Sequence, residues 1–434
     1  MSKRRIISLC MSVLLILLCF SACAGDTPVT SSVPSVSSAT QSEEFTEEPN
    51  KYEHLRGTTI YYYTWIDPHL SYDPPTVEQF EEKFGINVEI IRVGQGDYIK
   101  SVSADMAAGK PIDVLWLEHD FVEALSVIQP LDAAKLDLND PMWNRSIMEA
   151  STIDGKAYLA DTLYNNYSKL GLCLYNKRLF DEAGLPYPDE YLAKGKWDME
   201  NFRYCAETIS RLDGVNNGAS ASTLIVSACF GASCFSLENG RYKLTVDENY
   251  YNMMNFFSQM TQSGALRLDR SDFYNGNVGL AIVTTGDLAR RFVYKKNIEE
   301  VGIVSMPRTK QGEKMGMGAF FCGAALAKHS QNPEGVGCFM RHALGSNDFI
   351  NSTPKYIPDE FSESYKKIFD DYADNLFYVS HEVDLIKATN LGVRFSDLWC
   401  CYPPDEIRGY IESQLPTMET IRDMANKMIE DSIS

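Results

Sequence analysis

The chain is 434 residues long, 44% hydrophobic, 12% aromatic and 23% charged, with a formal net charge of −19. That length can bury two cores. Its acidity repels nucleic acid and anionic lipid surfaces, and no Lys/Arg stripe offsets it, so nucleic acid is excluded as a partner.

Lys3, Arg4 and Arg5 precede an apolar run from Ile6 to Phe20, and Ser21-Ala22 then lead into Cys23. The run is shorter than the about 20 residues a spanning helix needs, so residues 1–22 read as an export signal. Its end resembles the lipobox of bacterial lipoproteins, which implies cleavage before Cys23 and acylation of that residue, for example with palmitate. Phe20 stands where that motif usually has Leu, and a plain secretory signal is the alternative. Loss of three signal cations would make the mature chain still more acidic. Thr27 to Asn50 is rich in Ser, Thr, Pro and Glu and poor in large apolar side chains. Such a segment cannot offset its ordering entropy, and residues 23–56 read as a disordered tether. Of eleven cysteines, Cys10 and Cys19 leave with the signal, and eight remain beyond Cys23. No CxxC pair suggests zinc; Cys229 and Cys234 could pair, adjacent Cys400 and Cys401 would form only a strained ring, and buried thiols are the simpler reading.

The folded part opens with a β-branched and aromatic strand, Thr59 to Thr64. Val77, Phe80 and Phe84 repeat at helical spacing before Gly85, and Ile86, Val88 and Ile90 alternate as a strand. Tyr98, Val102 and Met106 mark another helix, ended by Gly109. Asp113 to Leu117 is a continuous apolar run suited to a strand covered on both faces. The order β-α-β-α-β predicts a parallel sheet with helices on both sides. Ligands of such sheets sit beyond the carboxyl ends of the strands, which here carry Trp65-Ile66-Asp67 and Glu118-His119-Asp120. Aromatic faces beside carboxylates suit a polyhydroxylated ligand: rings cover its C–H patches, and carboxylates accept from its hydroxyls. Core packing is the competing reading for Trp65 and, more evenly balanced, for Trp116.

Further on, Tyr175-Asn176 ends an apolar strand and starts a helix carrying Leu179, Phe180 and Ala183. Asp198, Asp247 and Asn332 each stand as N-caps before helical stripes.

Ala107 to Val114 followed by Glu118-His119-Asp120, then Leu174 to Pro186, Trp197-Asp198, Phe273 to Leu280, Val301 to Pro307 and Lys328 to Glu334, closely resemble bacterial extracellular solute-binding proteins of the maltose-binding type. The resemblance covers roughly Gly57 to Asn347. It implies a two-lobed periplasmic-binding-protein-like fold of type II, α/β, each lobe a mostly parallel sheet flanked by helices and joined by a hinge. The first lobe would take 57–164 and 323–377, the second 165–322 and 378–434. The resemblance also implies a substrate-binding lipoprotein of an ABC importer, anchored outside the cell membrane, that encloses a sugar by hinge closure and delivers it to a permease. It would act as a monomer without cofactor or metal.

Carried over by motif position, first-lobe contacts would be Trp65, Asp67, Glu118, His119 and Asp120, with Tyr164 just before the first crossing. Thr285, Gly286 and Asp287 would come from the second lobe, with Trp399 and Arg394 as later contacts. Lys169 stands where maltose-type binders carry an acidic contact, which implies a different ligand or an internal salt bridge. Two other readings stay open. One is an exported glycoside hydrolase using Asp67 with Glu118 or Asp120. The other is a peptide or polyamine binder on the same scaffold. A metal at Glu118, His119 and Asp120 is disfavoured, because adjacent loop residues rarely converge on one ion.

Overall fold

The computed structural model describes residues 49–65, 75–162, 171–221, 225–267, 271–285, 298–309, 317–319, 321–344, 359–372, 376–378, 381–390 and 395–433. The signal segment and Cys23 lie outside them. Among the described residues no helix is long and apolar enough to cross a membrane.

Strand β1 (Thr59–Thr64), helix α1 (Pro75–Phe84), β2 (Asn87–Arg92), α2 (Tyr98–Ala107) and β3 (Val114–Glu118) follow the expected order. Gly85 and Gly109, just beyond the two helices, take φ of 63° and 73°, the left-handed conformation that a helix stop requires. β1 pairs in parallel with β2 on one side and with β3 on the other. The winding direction therefore reverses at β1. The sheet is completed by β4 (Ile128–Gln129) and by β10 (Cys322–Ala327), giving the order β2-β1-β3-β10-β4. β10 runs antiparallel to both β3 and β4 while those two, β1 and β2 share one direction, so the sheet is mixed, mostly parallel with one reversed strand. The physical reason is that β10 returns from the far half of the chain and is not delivered by a helical crossover.

β3 is buried at every residue. Its side chains alternate between faces. Leu115 and Leu117 join Tyr98 and Val102 of α2 in one apolar cluster, whereas Val114 and Trp116 join Val336 and Phe339 of helix α7 (Pro333–His342) in another. The tether expected over 23–56 ends earlier than that. Pro49–Leu55 forms a 3₁₀ helix whose Tyr52 and Leu55 are buried, with the Tyr52 ring 5.8 Å from Phe84 and 6.0 Å from His342. Two apolar side chains one turn apart supply the burial that the Ser/Thr/Glu stretch lacks.

The second sheet has the order β7-β6-β8-β5-β9, from β5 (Gly171–Asn176), β6 (Asn217–Ala221), β7 (Leu266–Arg267), β8 (Val278–Thr284) and β9 (Val301–Val304). It too is mixed: β6, β7 and β8 are parallel, and β5 runs against both β8 and β9. Helices α4 (Lys177–Ala183), α5 (Met199–Ile209) and α6 (Glu248–Gln262) flank it. Each starts at a capping side chain: Asn176 accepts from the Leu179 N–H, Asp198 from Asn201 at 2.8 Å and Asp247 from Tyr250 at 2.9 Å. Beside β10, Ala160 and Ala324 form a two-way backbone bridge of 3.0 and 2.9 Å.

The C-terminal part departs from the expected division at 377. Helix α8 (Ser362–Tyr372) packs on β9, and Leu376–Tyr378 pairs with Met317–Ala319 against the second sheet. Those residues therefore accompany the second sheet rather than the first. Helix α9 (His381–Thr389) follows, then the 3₁₀ segment Phe395–Cys400 and the long helix α10 (Pro404–Ile433). The eight described cysteines are thiols, six buried and Cys400 and Cys401 half-buried.

Two glycines set close approaches of helices, one of α5 to the second sheet and one of α7 to the 3₁₀ segment Leu131–Ala134. A Cβ at Gly218 of β6 would collide with the backbone carbonyl of Ala206 on α5, and one at Gly337 of α7 with that of Ala134. Neither neighbour is a side chain that can swing away. Gly218→Ala should therefore lower unfolding stability by about 1–3 kcal/mol, read as a lower urea midpoint at unchanged slope. An unchanged midpoint would show that α5 can retreat without loss.

Candidate functional site

The reversal at β1 places the carboxyl ends of β1 and β3 side by side, which is where an open α/β sheet leaves a crevice. From β1 comes Trp65, half-buried against the core, whose indole N–H has no hydrogen-bond partner among the described residues. From β3 come Glu118, His119 and Asp120, all buried. His119 adopts φ of 69°, uncommon for a residue with a side chain, and its Nε2 lies 3.4 Å from Glu118 Oε1. Such a bend re-aims the side chains on either side of it.

Asp120 stands at the N-cap of the short helix α3 (Phe121–Ala124), yet its carboxylate makes no capping bond. Its Oδ1 instead forms an ion pair with Lys387 Nζ on α9, and its Oδ2 has no hydrogen-bond partner among the described residues. The side chain of Asp120 is 1% exposed and that of Lys387 28%.

Helix α9 reaches that position because it is fixed to both sides of the molecule. Asp384 accepts from the Val122 backbone N–H of α3 at 3.2 Å and from the Tyr242 hydroxyl of the hairpin Phe235–Glu238/Arg241–Leu244. Glu382 accepts from the Phe395 N–H. The His381 ring lies 5.0 Å from that of Phe321, beside the crossing, and 5.8 Å from that of Tyr242. Sequence periodicity missed these groups, because a buried helix whose inward positions are His, Glu and Asp has no apolar stripe to find. The run His381-Glu382-Val383-Asp384-Leu385, charges threaded through β-branched and aliphatic residues, was the one available signal.

Burial shifts the ionisation of this helix. It pushes the Asp384 carboxyl up to about 7, against the hydrogen bonds from Tyr242 and Val122. It lowers the His381 imidazole to about 3. Burial, then Lys100, lower the Lys387 ammonium to about 8 against the pull of Asp97 and Glu118. Tyr242 is raised well above its ordinary value by burial and by Asp384, so it remains a donor.

The other expected contacts fare differently. Asp67, Tyr164, Gly286, Asp287 and Arg394, and also Lys169, lie outside the described residues. Thr285 follows β8 and is fully buried. Trp116 is in the cluster under α7. Trp399, read as a stacking ring, is instead a core side chain: it is fully buried with its ring 5.3 Å from Phe257 of α6. Its 3₁₀ segment turns the indole inward, beneath the start of α10.

The family model for bacterial extracellular solute-binding proteins matches residues 67–346. No curated protein matches the sequence. Among solved structures, the ABC substrate-binding protein Lmo0181 from Listeria monocytogenes, in complex with cycloalternan, superposes with a TM-score of 0.59 at 18% identity, covering 86% of this chain and 99% of that one. The sugar-binding protein MalE from Xanthomonas citri gives 0.59 at 14%, covering 86% and 98%. The GacH receptor of Streptomyces glaucescens, whose structures include complexes with acarbose, gives 0.58 at 15%, covering 86% and 99%. The two-lobed fold with mixed sheets is shared with these proteins.

The paired shifts on α9 have a measurable consequence. Between its ordinary 3.8 and about 7, Asp384 keeps its proton in the folded chain and loses it in the unfolded one, so its contribution falls as pH rises through that window. His381 acts oppositely: protonated only in the unfolded chain between about 3 and 6.5, it removes stability as pH falls. The two nearly cancel between pH 4 and 6.5. In Asp384→Asn only the histidine arm remains, so the stability gap between wild type and variant should widen from pH 7 to pH 4 by up to about 4 kcal/mol. Urea unfolding at four pH values tests this, and a gap that ignores pH would refute it. The same assay separates the two tryptophans: Trp399→Ala should cost about 3–5 kcal/mol as a core truncation, and half-buried Trp65→Ala clearly less.

Proposed function

The chain belongs to the bacterial extracellular solute-binding protein family, and from that premise we propose that it is the substrate-binding component of an ABC importer, capturing a sugar or oligosaccharide between its lobes. The observation that carries the reading is the junction of β1 and β3. There a half-buried indole follows β1, and a buried carboxylate, one oxygen of which has no hydrogen-bond partner among the described residues, follows β3, at the crevice where this topology receives ligands. An aromatic face and a lone acceptor are what a sugar ring with projecting hydroxyls requires. The relatives in fold bound to cycloalternan, acarbose and maltotetraose support the same ligand class.

In this reading Trp65 stacks on the sugar, and Asp120, with Glu118 and His119 behind it, accepts from hydroxyls. Asp67, Tyr164, Thr285, Gly286, Asp287 and Arg394 remain proposed contacts around it, while Trp399 serves only the core. Ligand touching both lobes stabilises the closed form by the contacts it gains there, and the closed form engages the permease. The body is exported and held at the outer face of the membrane by acylated Cys23, and it works as a monomer. In this reading no bond of the ligand is broken, and the Asp120 carboxylate, ion-paired with Lys387, serves as an acceptor rather than as an acid or nucleophile.

Titrating the purified body with maltotetraose, cycloalternan and a wider panel of neutral oligosaccharides should change tryptophan fluorescence with at least one of them, and Trp65→Ala should abolish binding without unfolding the chain. The bound sugar should be recovered intact. New reducing ends in the mixture would overturn the transport reading in favour of hydrolysis.

A further inference from the structure

We propose that Lys387 is a specificity-determining residue of this cleft: as the fixed counter-ion of Asp120, it tunes the site to uncharged hydroxyl-rich ligands and closes it to cationic ones. The inference rests on the reading that Asp120 faces the ligand, and it deepens that reading.

A carboxylate as enclosed as that of Asp120 demands a compensating positive charge. Two sources can supply one: a protein cation, or an ammonium group on the ligand. In the second case the site would be a trap for amines, the property expected of a polyamine or basic-peptide binder. Here the charge comes from the protein. Lys387 Nζ is on Asp120 Oδ1, and the other oxygen, Oδ2, has no hydrogen-bond partner among the described residues and is left as an acceptor.

The lysine is not an incidental surface cation. Its side chain is largely covered, and the helix that carries it is pinned by Asp384 to Val122 and Tyr242 and by Glu382 to Phe395. Val122 lies two residues beyond Asp120, so the same helix grips both the carboxylate and the backbone that presents it. The ammonium is therefore held at a fixed position relative to Oδ2. Nζ carries three donors and no acceptor, and Asp120 Oδ2 accepts only. Side by side they offer a donor and an acceptor, which a hydroxyl or a vicinal pair of hydroxyls satisfies together, accepting from Nζ while donating to Oδ2. A ligand ammonium can satisfy only the acceptor and must approach Lys387 at like charge in a poorly screened setting. Glu118, buried next to His119, sits on the same loop and keeps the pocket from turning into an anion site.

The test is calorimetric titration of the full mature chain with spermidine and, separately, with maltotetraose and the oligosaccharide panel, for wild type, Lys387→Met, Lys387→Arg and the double variant Asp120→Asn/Lys387→Met. Wild type and Lys387→Arg should take up no spermidine at millimolar concentration. Lys387→Met, which exposes the carboxylate charge, should bind it at least tenfold more tightly, and the double variant should lose that gain. Neutral saccharide affinity should fall at least tenfold in Lys387→Met. Folded Lys387→Met that binds spermidine no better than wild type overturns the proposal. So does wild type that binds spermidine as well as it binds any saccharide, a measurement that needs no variant. Failure of wild type to bind any neutral oligosaccharide would instead strike the proposed function, leaving the spermidine comparison to judge Lys387 by itself.

Discussion

The structure hangs on strand β3. It is buried along its whole length, shares ladders with β1 on one edge and β10 on the other, and divides its side chains between two apolar clusters. A strand committed on four sides cannot slip by one residue without moving Leu115 and Leu117 out of one core and Val114 and Trp116 out of the other. That rigidity passes directly to Glu118, His119 and Asp120 at its end. The left-handed backbone of His119 is tolerated because both flanking segments are held, β3 by its ladders and α3 by its contacts with α9.

A second constraint acts across the molecule. Helix α9 brings four ionisable side chains into a largely buried position, and three are matched: Asp384 with two donors, Glu382 with a backbone N–H and Lys387 with Asp120, while His381 is held neutral among rings. Polar groups taken out of water in this way add little net stability but are costly to mispair. They favour one arrangement of the hairpin, α3 and the β3 loop over near alternatives.

Much of the framework was legible from residue order. Thr59 to Thr64, the stops at Gly85 and Gly109, and the caps Asp198, Asp247 and Asn332 all stand where local chemistry placed them. Alternating strands and helices pointed to parallel pairing of the first three strands, but that β1 lies between β2 and β3 came from the tertiary structure. What residue order did not show was hidden for identifiable reasons. The antiparallel insertion of β10 depends on a return over more than two hundred residues, which no local pattern encodes. Residues 359–378 were placed with the wrong sheet, because helical spacing says that a face is buried but not against what.

From the sequence by itself came the alternation of strands and helices, the helix caps and stops and the acidic character of the chain, because each depends on periodicity, capping and composition within a few residues, and the family came from motifs in their order along the chain. Only the tertiary structure decided that Trp399 faces the core, that Tyr52 and Leu55 belong to the folded body, and that Lys387 meets Asp120 across 267 positions of chain. Pairings of that separation are selected by the packing of whole elements, and a side chain's sequence neighbours hold no record of them.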